Sequence, residues 1–289
     1  LGSGRETVME FALNDEQKLL KDSVDRFVER AYEFETRNRL LESEEGFSAD
    51  NWGTFAELGW LGVPFSEEQG GYGGGMAEAA VIMNGMGKGL VLEPFLPTVV
   101  LGGSLLAHGG ASPDIEKLVE GHLQLAFGFA EPRSRFNLAH VATKAEAAAD
   151  GFTLSGHKAV VFNAAAADKI VVTARTSGGV RDADGITLFV VDPKADGVTV
   201  RGYRTVDGLR AGEVVLDGVA VGAEAILGEK DNALPLIDLV VDRGIAAVCA
   251  EAAGIMEHMV WATRDYLKAR EQFGVPLAKF QVLQHRMAD

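Results

Sequence analysis

Cysteine is almost absent: Cys249 is the single one in 289 residues. That excludes a disulfide framework and a cysteine-rich metal site, and it fits a reducing cytoplasm. Positive charge is also scarce, with 27 Lys and Arg against 42 Asp and Glu, a net charge of -15. Nucleic acid is bound through clustered cations, and an acidic surface does not draw anionic lipid, so neither is an expected partner. No long hydrophobic run occurs. The most apolar stretch, residues 91–106, is broken by Glu93, Pro94 and Pro97, short of the roughly 20 residues that a membrane span needs. The N-terminus lacks the basic region and apolar run of a signal peptide. The histidines show no metal-ligand spacing, Ser104 and Ser155 lack a nucleophile elbow, and the glycine run at 70–75 lacks the Lys-Ser/Thr of a P-loop. No Gly-x-Gly-x-x-Gly follows a strand, so a Rossmann reading has no support.

The chain is 47% hydrophobic and 24% charged, a globular balance. Three zones follow one another, giving an α+β class with expected domains at 11–122, 123–229 and 230–289. Residues 1–8, ahead of Met9, read as a tag remnant or linker. The first zone has helical period: Asn14 precedes Asp15, Glu16 and Gln17 as a capping box, and Leu19, Leu20, Val24, Phe27 and Val28 share a face. Ser48 and Asp50 offer a second cap before Trp52, Phe55 and Leu58, and further helix is expected at 76–86, 101–106 and 115–119. The second zone has short apolar runs between Gly, Asp and Asn, with strands expected at 124–129, 143–146, 152–155, 159–162, 170–174, 186–191, 198–202 and 213–216. Such strands suggest a barrel or sandwich, not βαβ units. In the third zone Leu236, Leu239, Val240, Ile245, Val248, Ala252, Ile255 and Met259 form an apolar helical stripe.

The run Tyr266-Leu-Lys-Ala-Arg-Glu-Gln-Phe-Gly-Val-Pro-Leu-Ala-Lys-Phe-Gln-Val-Leu-Gln-His285 closes one helix, turns, and opens another. It resembles the helix-turn-helix of acyl-CoA dehydrogenases. So do Glu57-Leu-Gly-Trp-Leu-Gly-Val-Pro-Phe-Ser-Glu-Glu-Gln-Gly-Gly-Tyr-Gly-Gly74, Ala130-Glu-Pro132, Gly151-Phe-Thr-Leu-Ser-Gly-His-Lys158 and Gly212-Glu-Val-Val-Leu-Asp-Gly-Val-Ala-Val221, in the family's order. Leu90-Val-Leu-Glu-Pro-Phe-Leu96 and Asp207-Gly-Leu-Arg-Ala211 resemble the small subunit of pimeloyl-CoA dehydrogenase-type heteromeric enzymes. The resemblance implies an N-terminal helical domain, a central β-barrel or sandwich, and a C-terminal four-helix bundle, truncated here. It also implies α,β-desaturation of an acyl-CoA thioester, with FAD as hydride acceptor and an electron-transfer flavoprotein as onward partner. A medium-chain or dicarboxylic acyl-CoA is hinted at, and a bulky sterol side-chain thioester is conceivable.

By the same resemblance, Arg270, Gln272 and Phe273 embrace the diphosphate and adenine end of a neighbouring subunit's FAD, and Gln281 is a further cofactor-facing position. Arg suits a diphosphate through charge-assisted, bidentate bonds. The alternative is that Arg270 is a surface helix charge and Phe273 a core residue closing the turn. Two segments depart from the family. Thr-Glu-Pro-Gly-x-Gly-Ser-Asp reads Ala130-Glu-Pro-Arg-Ser-Arg-Phe-Asn137, placing Arg133 and Arg135 where glycines permit close backbone approach. Lys-x-Trp-Ile-Thr-Asn reads Lys158-Ala-Val-Val-Phe-Asn163, placing Val160 at the flavin-stacking aromatic and Phe162 at the hydroxyl. A rearranged phosphate site at Arg133 and Arg135 is the other reading of the first change.

No catalytic base is identified. The position used by some family members falls on Gly244, with Asp242 just before it; an acid there more often compensates a helix dipole. The expectation is therefore a subunit that pairs with a better-equipped homologous acyl-CoA dehydrogenase subunit and shares its FAD. A self-sufficient homo-oligomer and a non-catalytic scaffold of the same fold are the alternatives. Half a bundle would leave apolar surface uncovered, so chain beyond Asp289 is expected.

Overall fold

Local chemistry sets the helical layer. In the computed structural model, which describes residues 12–110 and 112–289, helix α1 (Asp15–Ala31) opens on the expected capping box. Asn14 Oδ1 accepts from the Gln17 amide at 2.8 Å, and Gln17 Oε1 accepts from the Asn14 amide at 3.0 Å. Residues 1–8 lie outside the described residues. Val24 is fully buried and Leu20, Phe27 and Val28 pack beside it, whereas Leu19 is exposed. A short charged helix, α2 (Phe34–Leu41), follows. The Ser48 hydroxyl then accepts from the Asn51 amide to start α3 (Ala49–Glu57), which buries Trp52 and Phe55. Phe27, Phe55 and Trp60 meet edge to face or tilted, with ring centroids 4.8–5.5 Å apart, at the heart of this core.

Helix α4 (Met76–Gly89) crosses this layer, and a π-helical segment, Leu96–Gly103, runs into α5 (Ser104–Gly109). Pro97 is tolerated because it sits in the segment's first turn, where its missing N–H costs no ladder bond. Helix α6 (Ser112–Val119) closes the zone.

The central zone is one eight-stranded sheet with strands β1 (Leu125–Gly128), β2 (Lys144–Ala148), β3 (Gly151–Phe162), β4 (Lys169–Arg175), β5 (Ile186–Val191), β6 (Val198–Arg204), β7 (Arg210–Gly222) and β8 (Ile226–Leu227). The order is β6-β7-β3-β2-β4-β5-β8, with β1 parallel to β4. Two halves meet at a single registered pair, Lys144 and Arg175. Leu154, Val214 and Leu216 from one half share a core with Ile170, Val172 and Phe189 from the other, as in a sandwich.

Helix α7 (Leu234–Ala269) runs 36 residues back over α4. Its buried residues are Ile237, Val240, Gly244, Ala247 and Gly254. This corrects the apolar stripe expected from sequence: Leu239, Ile245, Val248 and Met259 from that stripe are exposed instead. The face that packs is the one whose small residues let backbones approach, and it leaves bulkier residues outward. A tight hairpin, β9 (Glu271–Gln272) and β10 (Val275–Pro276), leads to α8 (Gln281–Ala288). Among the described residues no helix is long and apolar enough to cross a membrane.

Candidate cofactor hairpin and substrate cavity

The hairpin after α7 is built on a two-residue turn, Phe273 and Gly274, with φ of 55° and 78°. Positive φ at both central residues is what a right-twisted hairpin requires, but it favours glycine, and phenylalanine pays for it. Phe273 is also 92% exposed, so it is not the core residue that would close the turn. Its ring lies edge-to-face with Phe280, centroids 6.2 Å apart. Arg270 and Gln272 are exposed on the same hairpin, and Gln281 is exposed at the first turn of α8. Among the described residues nothing hydrogen-bonds or ion-pairs the Arg270 guanidinium; its backbone carbonyl accepts from Leu277 at 2.9 Å. All four residues are therefore solvent-exposed, three on the hairpin and Gln281 at the start of α8.

The loop carrying Arg133 and Arg135 keeps a glycine-like backbone. Arg135 has φ of 51°, the left-handed region, while Ser134 ties the loop to Glu131 by mutual bonds of 2.9 and 3.0 Å. Arg133 and Arg135 point to solvent, and Phe136 is completely exposed. Close by in chain order, Val160 occupies a bulge in β3, with φ of 53° and its side chain half exposed. A β-branched residue in this region is strained by roughly 1–2 kcal/mol, partly offset on substitution by the backbone entropy of glycine, roughly 0.5–1 kcal/mol. Val160→Gly is expected to raise stability by about 0.5–1 kcal/mol. A rise in the urea midpoint at unchanged slope would show it; a fall would mean that Val160 packing outweighs the strain.

Beneath these loops lies an ion pair that sequence reasoning did not single out. Lys158 is fully buried and its ammonium donates to Glu131 at 2.7 Å and to Thr173 Oγ1 at 2.9 Å. Glu131 also accepts from the Ala142 and Thr143 amides and the Thr143 hydroxyl, at 2.7–3.0 Å. Burial pulls the Lys158 ammonium down to about 8, against the opposing pull of Glu131. Burial alone would raise the Glu131 carboxyl, but the Lys158 charge and these hydrogen bonds outweigh it and hold it below the usual carboxylate range. The pair thus clamps the Ala130-Glu-Pro132 loop to β3, the two segments that carry the departures from the family pattern. Its only sequence signal was the presence of Glu131 and Lys158 in two separate motifs.

A cavity of about 210 Å³ lies where all three zones meet. Met83 of α4 and Leu96 form part of its wall, with Phe162 at the end of β3, Leu209 before β7, and Val248 and Glu251 of α7. The junction is latched by arginines: Arg37 donates to the Leu90 and Asp207 carbonyls, and Arg210 to those of Leu41 and Ser43. Three acids face this space. Glu93 is saturated, accepting from Tyr32, Asn51 and the Ser48 amide, and burial raises its pKa. One oxygen of Asp207 is held by the Thr205 hydroxyl and the Leu209 amide. The Glu251 carboxyl accepts no hydrogen bond from any described residue; burial and then the Asp207 charge raise its pKa. Asp242 is exposed. Gly244 is buried, and a Cβ there would stand 2.7 Å from Leu101 Cδ2, so a carboxylate at that position would need Leu101 to move.

Comparison with known proteins agrees with this layout. Residues 14–112 match the acyl-CoA dehydrogenase N-terminal domain, residues 126–219 the middle domain, and residues 239–289 the C-terminal domain. Acyl-CoA dehydrogenase IpdE2 of Mycolicibacterium smegmatis is 30% identical over 96% of this chain and 72% of its own length. The butyryl-CoA dehydrogenase structure from Megasphaera elsdenii is 28% identical and superposes with a TM-score of 0.87, covering 97% of this chain and 76% of that one. The ChsE4-ChsE5 complex from Mycobacterium tuberculosis is 25% identical with a TM-score of 0.83, over 97% of this chain and 74% of that one. With its fold, its motif order and these matches along most of its length, the chain belongs to the acyl-CoA dehydrogenase family of oxidoreductases.

Proposed function

We propose that this chain works as one subunit of a heteromeric acyl-CoA dehydrogenase and completes an FAD site that it shares with a homologous subunit. The reaction is α,β-desaturation of an acyl-CoA thioester, with electrons passed on to an electron-transfer flavoprotein. When bound, FAD supplies the hydride acceptor; the chain supplies binding and orientation. Arg270 would pair with the diphosphate, Gln272 and Gln281 would offer amide hydrogen bonds, and Phe273 would wall the adenine end. The observation that carries this reading is the hairpin itself: an exposed guanidinium without a partner among the described residues, and a strained, exposed phenylalanine. Strain of that kind persists where function requires it. These side chains fit a diphosphate arriving from outside the chain.

The chain's own flavin-facing segment fits the ring system less well, with Ala130, Val160 and Phe162 lacking the hydroxyl and aromatic groups that the family pattern supplies. Ile245, Met256, Met259 and Trp261 on α7 are more than half exposed, an apolar face suited to another subunit. Relatives include a two-protein complex, ChsE4-ChsE5, and the caffeyl-CoA reductase-Etf complex subunit of Acetobacterium woodii. These support the heteromeric reading and the choice of electron acceptor.

The test is flavin content with and without the partner. The chain purified alone is expected to be nearly colourless and to gain flavin on reconstitution with its partner. In that complex Arg270→Ala is expected to weaken FAD retention about 10–100-fold, the worth of roughly 1.5–3 kcal/mol for hydrogen bonds to a charged group. Equilibrium dialysis against free FAD measures it. Unchanged retention in Arg270→Ala removes Arg270 from the site, and one tightly held FAD per isolated chain favours a homo-oligomer.

A further inference from the structure

The cavity between α4, α7 and the end of β3 is mostly apolar; Asn163, Arg210 and three acids supply its polar lining, and those acids are not equivalent. Glu93 has its oxygens occupied by Tyr32, Asn51 and the Ser48 amide. Asp207 is tied into its own turn by Thr205 and Leu209. Glu251 is half-buried and comes from the helical wall of the cavity, which the sheet residue Phe162 also lines. Among the described residues, no group donates to its carboxyl. A half-buried carboxyl without a protein donor depends on water for its hydrogen bonds, and a ligand that displaces that water without supplying a donor leaves the desolvation unrepaid. The cost falls when a donor enters the cavity. Hydrocarbon offers none, and a second carboxylate would face Glu93, Asp207 and Glu251 against a single cation, Arg210, whose guanidinium already donates to the Leu41 and Ser43 carbonyls.

We propose that Glu251 is a specificity residue: it selects acyl-CoA thioesters whose acyl chain carries a hydroxyl group reaching the helical wall, and it rejects chains that end in a carboxylate. This rests on the acyl-CoA reading above, with the cavity as the acyl site. A hydroxyl suits either protonation state, since it donates to the carboxylate and exchanges bonds with the acid. It reverses the dicarboxylic preference that the likeness to pimeloyl-type subunits suggests. Specificity of this kind is strong because a site built for a hydroxyl leaves a polar group unpaired when the hydroxyl is missing.

The experiment is calorimetric binding to the assembled complex of three ligand types of equal length: octanoyl-CoA, hydroxyoctanoyl-CoA isomers with the hydroxyl moved along the chain, and the ω-carboxylated analogue. At least one hydroxy isomer is expected to bind about tenfold tighter than octanoyl-CoA, and the carboxylated ligand at least about tenfold weaker. Glu251→Leu should abolish the hydroxyl preference and improve octanoyl-CoA binding. Glu251→Gln, which keeps the shape and an acceptor, should retain most of the hydroxyl preference while relieving the rejection of the carboxylate. Equal binding of plain and hydroxylated chains, or an unchanged ratio in Glu251→Leu, overturns the role of Glu251 and leaves the acyl-CoA reading standing. Failure of every acyl-CoA to bind overturns both.

Discussion

Lys158→Met is expected to lower the unfolding free energy by about 3–5 kcal/mol at neutral pH, the cost of removing one partner from a buried ion pair. The reason is the group left behind. Glu131 is 6% exposed and would remain charged with only the Ala142 and Thr143 donors around it. The pH dependence has a definite sign. In the wild type the Glu131 carboxyl is held low, so its stabilisation is present above the unfolded carboxylate pKa and is lost as pH falls through the folded one. In Lys158→Met burial is opposed only by the Arg175 charge and the remaining hydrogen bonds, the folded pKa rises above the unfolded one, and the variant gains relative to the wild type on acidification. The deficit should therefore be largest near pH 7 and clearly smaller near pH 5. Urea unfolding at the two values measures this, and a deficit that is constant with pH would mean that packing, not the orphaned charge, sets the cost. Because the pair clamps the Ala130-Glu-Pro132 loop to β3, the same variant should loosen the segment next to Val160 and Phe162. Faster amide exchange at Ala142 and Thr143 would report it.

Much of the fold was legible because local signals and burial agreed. Strand β5 was read with the bounds it has, since Gly185 and Asp192 punctuate a run of β-branched and apolar residues, Ile186-Thr-Leu-Phe-Val-Val191. The single strand β3 was read as two, 152–155 and 159–162, because bulges near Ser155 and between Lys158 and Val161 break its alternation. Helix α2 was missed for the opposite reason. It buries nothing fully, Phe34 is exposed, and it has no apolar stripe to detect. The π-helical segment Leu96–Gly103 is buried nearly all round, so it has no amphipathic period, and only its end fell within the helix expected at 101–106. Arg270, Gln272 and Phe273 could be singled out as candidates because a contiguous motif carries them; their exposure could not be read, since it follows from turn geometry. Glu251 was invisible. Between Ala250 and Ala252 it reads as a solvated helix acid, and only the packing of α4 and the Asp207 turn encloses it.

The α4–α7 crossing should tolerate change least of any helix contact near the cavity. It is built on two glycines that each face the other helix's backbone. A Cβ at Gly254 would stand 1.9 Å from the Asn84 carbonyl oxygen, and one at Gly87 would stand 2.2 Å from the Glu251 carbonyl oxygen. Neither obstacle is a flexible side chain, so the helices themselves must separate. Gly254→Ala is expected to destabilise by about 1–3 kcal/mol despite the better helix propensity of alanine, and Gly254→Val by more. Gly87→Ala should cost a similar amount. The two should not add: once one methyl has parted the helices, the second finds room, and the double variant should cost less than the sum by about 0.5 kcal/mol or more. Thermal and urea unfolding of the two single variants and the double variant close this cycle. Strict additivity would mean that each site relaxes locally, without a shared displacement of α7. The functional reach is direct, because α4 carries Met83 and α7 carries Val248 and Glu251 on the cavity wall. A separation of the helices should widen that cavity and weaken its discrimination among acyl chains, while the hairpin at Arg270, beyond the far end of α7, keeps its own geometry.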